Sequence, residues 1–142
     1  FEPMASQLRA QGARVLLDTQ SLPGLIVDVL AVSADALPKA HHDLKKLLQG
    51  YFRAVAHWRG EPEMAARLMA PHQQLTVEGV KQALSGITVL DLELNRAWLD
   101  GTLARLLQSA QVVGRLMHEA RLLDRVPDLT SLCEPSLLPE LT

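Results

Sequence analysis

The spacing of apolar positions changes about a quarter of the way along the chain. Two short, nearly continuous aliphatic runs come first, ARVLLDT at 13–19 and LIVDVLAV at 25–32. Runs of this length are typical of strands that are covered on both faces, as in a parallel or mixed sheet. Between them, SLPG at 21–24 has proline and glycine where a turn favours them. The pattern therefore predicts two strands joined by a bend or a hairpin.

After Ser33 the apolar positions recur with the period of a helix. Capping residues and prolines mark where each helix begins. The predicted helix starts are Ser33 or Asp35 with Pro38 in the first turn, then Pro62, Thr76, Asp91 and Thr102, and a short helix precedes Gly12. The predicted fold class is α/β and helix-dominated, with few strands (13–19 and 25–32) and five to seven helices.

Asp28 lies in the middle of the second apolar run. A lone carboxylate inside a buried strand costs several kcal/mol unless it is paired or hydrogen-bonded. One interpretation is a satisfied buried acid that fixes a strand junction, and the other is direct contact with a ligand. The sequence leaves both open.

Composition narrows the class of protein. The chain has 142 residues, enough for one domain, with 48% apolar and 21% charged residues, close to the globular average. A net charge of -2 without a basic patch argues against nucleic-acid binding. No apolar run reaches the ~18–20 residues of a membrane span.

Candidate catalytic and metal-binding patterns are missing from the sequence. Cys133 is the only cysteine, which excludes an internal disulfide and a cysteine-based zinc site. His41 and His42 are adjacent, so they point about 100° apart on a helix, and no HExxH, G-x-S-x-G or glycine-rich phosphate loop occurs. We therefore predict a protein that is not an enzyme and uses no metal or cofactor.

The order of several segments is similar to that of a known family. FEP at 1–3 is followed by ARVLLDT, SLPGLIVDVLAV, YFRAVAHWRGEPEMAARLMA, LTVEGVKQALSGITVLDLELNRAWL and ARLLQSAQVVGRLMHEARLLDRVPDLTSLCEPSLLPE. Across essentially the whole chain this resembles the C-terminal part of ABC-transporter substrate-binding proteins of the nitrate, sulfonate, taurine and thiamine-precursor (NMT1/THI5-like) group. No single motif carries the likeness; the order and spacing of many do.

The resemblance implies part of a type II periplasmic-binding-protein fold, in which a small molecule is held between two lobes. Residues 1–20 would be the tail of the second lobe, 21–32 the hinge and crossover strand, and 33–142 the helices packing on the first lobe. The residues nearest the ligand would be Phe1, Glu2, Ser21, Leu22, Gly24 and Asp28. Many relatives have tryptophan where Phe1 stands, so this chain lacks an indole N–H donor there.

The resemblance also implies partners and a location. The ligand would be a small anionic or heteroaromatic molecule, and the partner of the full-length protein an ABC permease, in the periplasm or at the outer face of a membrane. Because the chain opens on Phe1 within structured-looking sequence, we expect an excerpt with a signal peptide upstream. Its unpaired strand should then drive homodimerisation, element swapping or aggregation.

Two other functions stay open. The same fold could serve as the ligand-sensing domain of a membrane signalling protein, in which closure biases a signalling output. Alternatively, the chain could be a helical module that binds protein partners through apolar grooves. A well-behaved monomer would favour the helical module.

Overall fold

The computed structural model describes residues 4–22, 24–101 and 104–140, and its regular structure is helical. Within these ranges two single-turn 3-10 helices lie at Thr19–Ser21 and Pro135–Leu137. Six α-helices are found in the same ranges: α1 (Met4–Ala10), α2 (Ala36–Gly60), α3 (Pro62–Gln73), α4 (Val77–Ser85), α5 (Leu92–Leu99) and α6 (Arg105–Glu119).

The predicted α/β class, with strands at 13–19 and 25–32, is wrong, because none of the described residues forms a strand. The aliphatic side chains that suggested buried strands are largely exposed, Leu16 by 97% and Ile26 by 64%. A strand is stable only when a neighbouring chain completes its ladder of hydrogen bonds. The described ranges supply no such neighbour, so the type II binding-protein fold is not what this chain forms.

Residues 26–32 form an apolar segment whose backbone N–H and C=O groups have no hydrogen-bond partner among the described residues. Asp28 is exposed, so the interpretation as a buried acid at a strand junction is also wrong. The cost of burying its carboxylate does not arise here.

Several helix boundaries follow the predicted local signals. The Thr76 hydroxyl accepts a hydrogen bond from the Gly79 N–H at 3.0 Å and caps α4. The Asp91 carboxylate accepts one from the Leu94 N–H at 2.8 Å and caps α5. These predicted caps are confirmed, because an N-cap depends only on residues within one turn of it.

Helix α3 begins at Pro62, as predicted, at a position where the missing N–H of proline costs nothing. Thr102, the predicted cap of the last helix, lies outside the described residues. Helix α6 itself begins at Arg105 and ends at Glu119.

The chain divides into two compact units, and each combines two stretches of sequence. The first unit joins the chain up to Ser21 with Tyr51–Val89, and the second joins Leu22–Gly50 with the chain from Leu90 onward. Helix α2 contributes its C-terminal part to the first and its N-terminal part to the second. The predicted division into 1–20, 21–32 and 33–142 stays a prediction.

The core of the first unit lies between α3 and α4. Its buried centre consists of small residues, and larger side chains surround it: the centre is Ala66, Ala70 and Val80, and the surrounding residues are Trp58, Met69, Leu75, Val77 and Leu84. Small side chains at a helix contact let the two helices approach closely. On the surface, the Glu63 carboxylate and the Lys81 ammonium lie 2.8 Å apart and join the same two helices.

In the second unit, α5 and α6 pack together and anchor the chain beyond α6. The buried hydrophobic residues described there are Ala104, immediately before α6, and Leu137 and Leu138 near the end of the described chain. The Arg96 guanidinium of α5 donates a hydrogen bond to the carbonyl of Pro139. This bond holds the C-terminal segment on α5.

Candidate functional site

Two of the residues predicted to lie near a ligand, Phe1 and Glu2, are outside the described residues. Ser21 ends the first 3-10 helix, where its hydroxyl donates to the Asp18 carbonyl at 2.7 Å. Asp28 forms no hydrogen bond or ion pair with the described part of the chain. The structure therefore does not bring Asp28 together with the turn that precedes it.

Leu22 and Gly24 belong to one turn in the second unit. The Leu25 N–H donates to the Leu22 carbonyl at 3.2 Å and closes this turn. Gly24 has a φ of +79°, in the left-handed region that only glycine adopts readily. The turn was predicted at 21–24, but Ser21 belongs to the 3-10 helix, Pro23 lies outside the described residues, and the hydrogen bond closes from Leu22 to Leu25. The apolar segment 26–32 follows this turn.

One side chain of α5 and one of α6 hold Gly24 in place. The Ser109 hydroxyl of α6 donates a hydrogen bond to the Gly24 carbonyl. A Cβ added to Gly24 would lie 3.5 Å from Cη2 of Trp98 and 3.6 Å from Oγ of Ser109. All three residues are half-buried. We call this arrangement of Gly24, Trp98 and Ser109 the turn junction.

In the sequence, Trp98 ends an apolar helical pattern, which is typical of a packing residue, and Ser109 does not stand out. One signal for Ser109 was present, since a serine among the apolar positions Leu106, Leu107 and Ala110 needs a hydrogen-bond partner. The partner lies 85 positions away in sequence. Periodicity within one helix cannot identify it.

A shallow groove lies elsewhere in the second unit, between α6 and the chain that follows it. It has a volume of about 360 Å³, and its lining comes from one face of α6 (Leu107, Gln111 and Arg115) and from residues 126–130. Gly114 of α6 is buried against Pro127, whose ring atoms would lie 3.2 and 3.3 Å from an added Cβ. Glycine at this position thus lets the loop sit close to the helix.

Two of the polar side chains of the groove, Arg115 and Asp128, form hydrogen bonds within the protein. The Asp128 carboxylate accepts a hydrogen bond from the Thr130 N–H at 3.0 Å, and this bond holds the pKa of Asp128 below its usual range. The Arg115 Nε–H donates to the Gln111 carbonyl at 3.3 Å. The groove therefore presents an apolar surface with one cation and one carboxylate, and no nucleophile paired with a base.

Other reactive groups are dispersed. Cys133 is half-buried, and burial raises the pKa of its thiol, which disfavours the nucleophilic thiolate. The described residues contain no group of three or more His, Cys, Asp or Glu side chains placed to hold a metal ion. Among the described helices, none is long and apolar enough to cross a membrane.

Comparison of the chain with protein-family models, with curated proteins and with solved structures finds no match in any of the three. The class of protein must therefore be argued from the residues and their placement.

Proposed function

We propose that this chain is part of the solute-binding component of an ABC importer. In this role it helps to capture a small anionic or heteroaromatic molecule outside the cytoplasm and to present it to a membrane permease, without making or breaking bonds. Support comes from the segments quoted above, whose order and spacing resemble that receptor group along essentially the whole chain.

The observation that carries the proposal is the state of residues 26–32. Val29 and Leu30 are both 59% exposed, and the backbone groups of this segment have no hydrogen-bond partner among the described residues. Exposed aliphatic side chains beside backbone groups that lack a partner within the described chain favour contact with further polypeptide. In the proposed role, the remaining polypeptide of the full-length solute-binding protein covers this segment.

The turn junction fits a hinge role in such a receptor. Receptors of this kind close around their ligand through a few residues that absorb changes in φ and ψ. Gly24 can absorb such changes because it lacks a Cβ. It also stands directly before the segment that, in this proposal, contacts the rest of the receptor.

Calorimetric titration of the full-length gene product tests the proposal. The panel comprises taurine, alkanesulfonates, nitrate, bicarbonate and hydroxymethylpyrimidine, with a neutral sugar as the control ligand. We expect saturable binding of one panel member at one site per molecule, and none of the sugar. Absence of binding by the whole panel would overturn the assignment to solute import.

A second function, a helical protein-interaction module, is favoured by one observation, the wholly helical regular structure of the described residues. This function requires residues 1–142 to fold alone as a stable monomer. The receptor function requires the exposed segment 26–32 to be covered. Size measurement by light scattering separates the two, because only the helical module stays monomeric as its concentration rises.

A further inference from the structure

We propose that the turn junction is a latch that docks Gly24 on α5 and α6, and that Ser109 is the residue that positions it. The latch has a docked state, in which the Ser109 hydroxyl donates to the Gly24 carbonyl, and a released state, in which this bond is broken. Its use in solute capture rests on the proposed function, whereas the latch itself can be tested without any solute.

One hydrogen bond from a described side chain, that of Ser109, attaches Gly24 to the helices, which is why the latch can open. The edge of the Trp98 ring lies 3.5 Å from the position of a Cβ on Gly24. Beyond the turn, residues 26–32 make no backbone hydrogen bond with the described chain. The turn can therefore leave the helices without breaking a ladder of further hydrogen bonds.

The conformation of Gly24 makes the latch specific to glycine. Its φ of +79° is costly for any residue with a Cβ. The space around it is not restrictive, because an added Cβ would meet Trp98 and Ser109 at ordinary contact distances of 3.5 and 3.6 Å. Replacing Gly24 with alanine thus disfavours the docked turn through the backbone and not through a clash.

The fluorescence of Trp98 reports the latch directly. Trp58, the other tryptophan, packs on the core of the first unit, so Trp58→Phe leaves Trp98 as the single emitter. In this background we measure acrylamide quenching at low micromolar concentration, and follow unfolding by urea in parallel with far-UV circular dichroism. If Trp58→Phe prevents folding, the indole N–H signals of the parent chain in NMR, assigned with Trp98→Phe, give the same readout.

Ser109→Ala should release the turn while the helices remain folded. Loss of one net hydrogen bond raises the ratio of released to docked states by about five- to tenfold, which increases the quenching of Trp98. Ser109→Thr keeps a hydroxyl and should restore the parent value. Ser85→Ala is the matched control, because the Ser85 hydroxyl donates to the carbonyl of Gln82 within its own helix. It should leave the quenching of Trp98 unchanged.

A second pair of variants separates the backbone effect from a general loss of stability. Gly24→Ala should increase quenching of Trp98, whereas Gly12→Ala should not, although Gly12 also has a positive φ, of +92°, and open space around it. Unchanged quenching in folded Ser109→Ala would overturn the latch. So would an increase explained wholly by a lower urea midpoint, since that result indicates a purely structural contact.

Discussion

At the scale of single residues, Gly50 and Gly114 are two helical glycines with opposite surroundings. An added Cβ at Gly50 meets no atom within 4 Å, whereas at Gly114 it would lie 3.2 and 3.3 Å from the ring of Pro127. We predict that Gly50→Ala stabilises the chain by about 0.5–1 kcal/mol through helix propensity. Gly114→Ala should destabilise it by about 1 kcal/mol, because overpacking exceeds that gain. Urea unfolding measures both.

The double variant of Gly114→Ala with Pro127→Ala is the control for this prediction. Removing the ring atoms that the new methyl group meets should recover most of the stability lost in Gly114→Ala, and the double-mutant cycle gives the coupling between the two sites. Equal stability of Gly114→Ala and the parent would contradict the prediction. It would mean that the loop at Pro127 moves aside at little cost.

Residue-scale features were predictable from the sequence when their cause is local. The caps Thr76 and Asp91 bond to N–H groups three positions away, so their identity and spacing suffice. The partner of Ser109 is Gly24, which depends on how the chain folds back on itself. Accordingly the sequence predicted the turn at Gly24 but not what holds it.

At the scale of helices, we predict that the cap of α5 is worth about 1 kcal/mol. Asp91→Ala removes the carboxylate that accepts from the Leu94 N–H at 2.8 Å, leaving that donor unsatisfied in the protein. Asp91→Asn keeps an acceptor oxygen, so its free energy of unfolding should fall much less. Unfolding followed by circular dichroism measures the difference, and equal losses in the two variants would contradict a capping role.

The surface contact between α3 and α4 makes a separate prediction about pH. The ammonium of Lys81, 2.8 Å from the Glu63 carboxylate, lowers the pKa of Glu63, and the same bond raises the pKa of Lys81. The Glu63 contribution to stability is therefore present above the unfolded glutamate pKa of about 4.3 and lost as pH falls through the lowered value. The Lys81 contribution is present below about 10.4 and lost as pH rises through the raised value.

Glu63→Gln should therefore lower the Tm slightly near neutral pH and flatten its fall in acid. The effect should shrink at high salt, because both side chains are partly exposed. Glu78→Gln is the matched control, since Glu78 meets the same lysine at 3.3 Å but within α4. Thermal unfolding across pH tests the pair, and an equal effect of the two variants would show that no specific link between the helices exists.

The helices and the apolar segments differ in what determines them. Helices α3, α4 and α5 begin where proline and capping residues predict, because a helix satisfies its own backbone groups. A strand depends on a partner, so the aliphatic runs at 13–19 and 25–32 predicted strands that the described chain does not form. Aliphatic composition indicates a preference for burial, and it does not show which polypeptide provides it.

At the scale of the whole molecule, few large side chains of the described residues are fully buried, while many large aliphatic ones are exposed. Val80, in the first unit, is 2% exposed, whereas Leu16 is 97% and Leu17 76% exposed. Exposed aliphatic side chains in the two apolar segments, 13–19 and 25–32, favour association in water. We therefore predict that residues 1–142 associate as their concentration rises, and that these two apolar segments mediate the association.

Charged substitutions at single positions test which surface associates. Leu16→Lys and Ile26→Lys should leave the free energy of unfolding within about 0.5 kcal/mol of the parent, as expected at exposed sites. At equal concentration, both should lower the molar mass measured by light scattering toward that of the monomer. Leu122→Lys is the matched control, because Leu122 is 69% exposed but lies outside both segments. An equal shift in this control would mean that charge, not the apolar segments, governs association.

A parent chain that stays monomeric at high concentration would contradict the prediction and favour the helical interaction module, since the receptor function requires these segments to be covered.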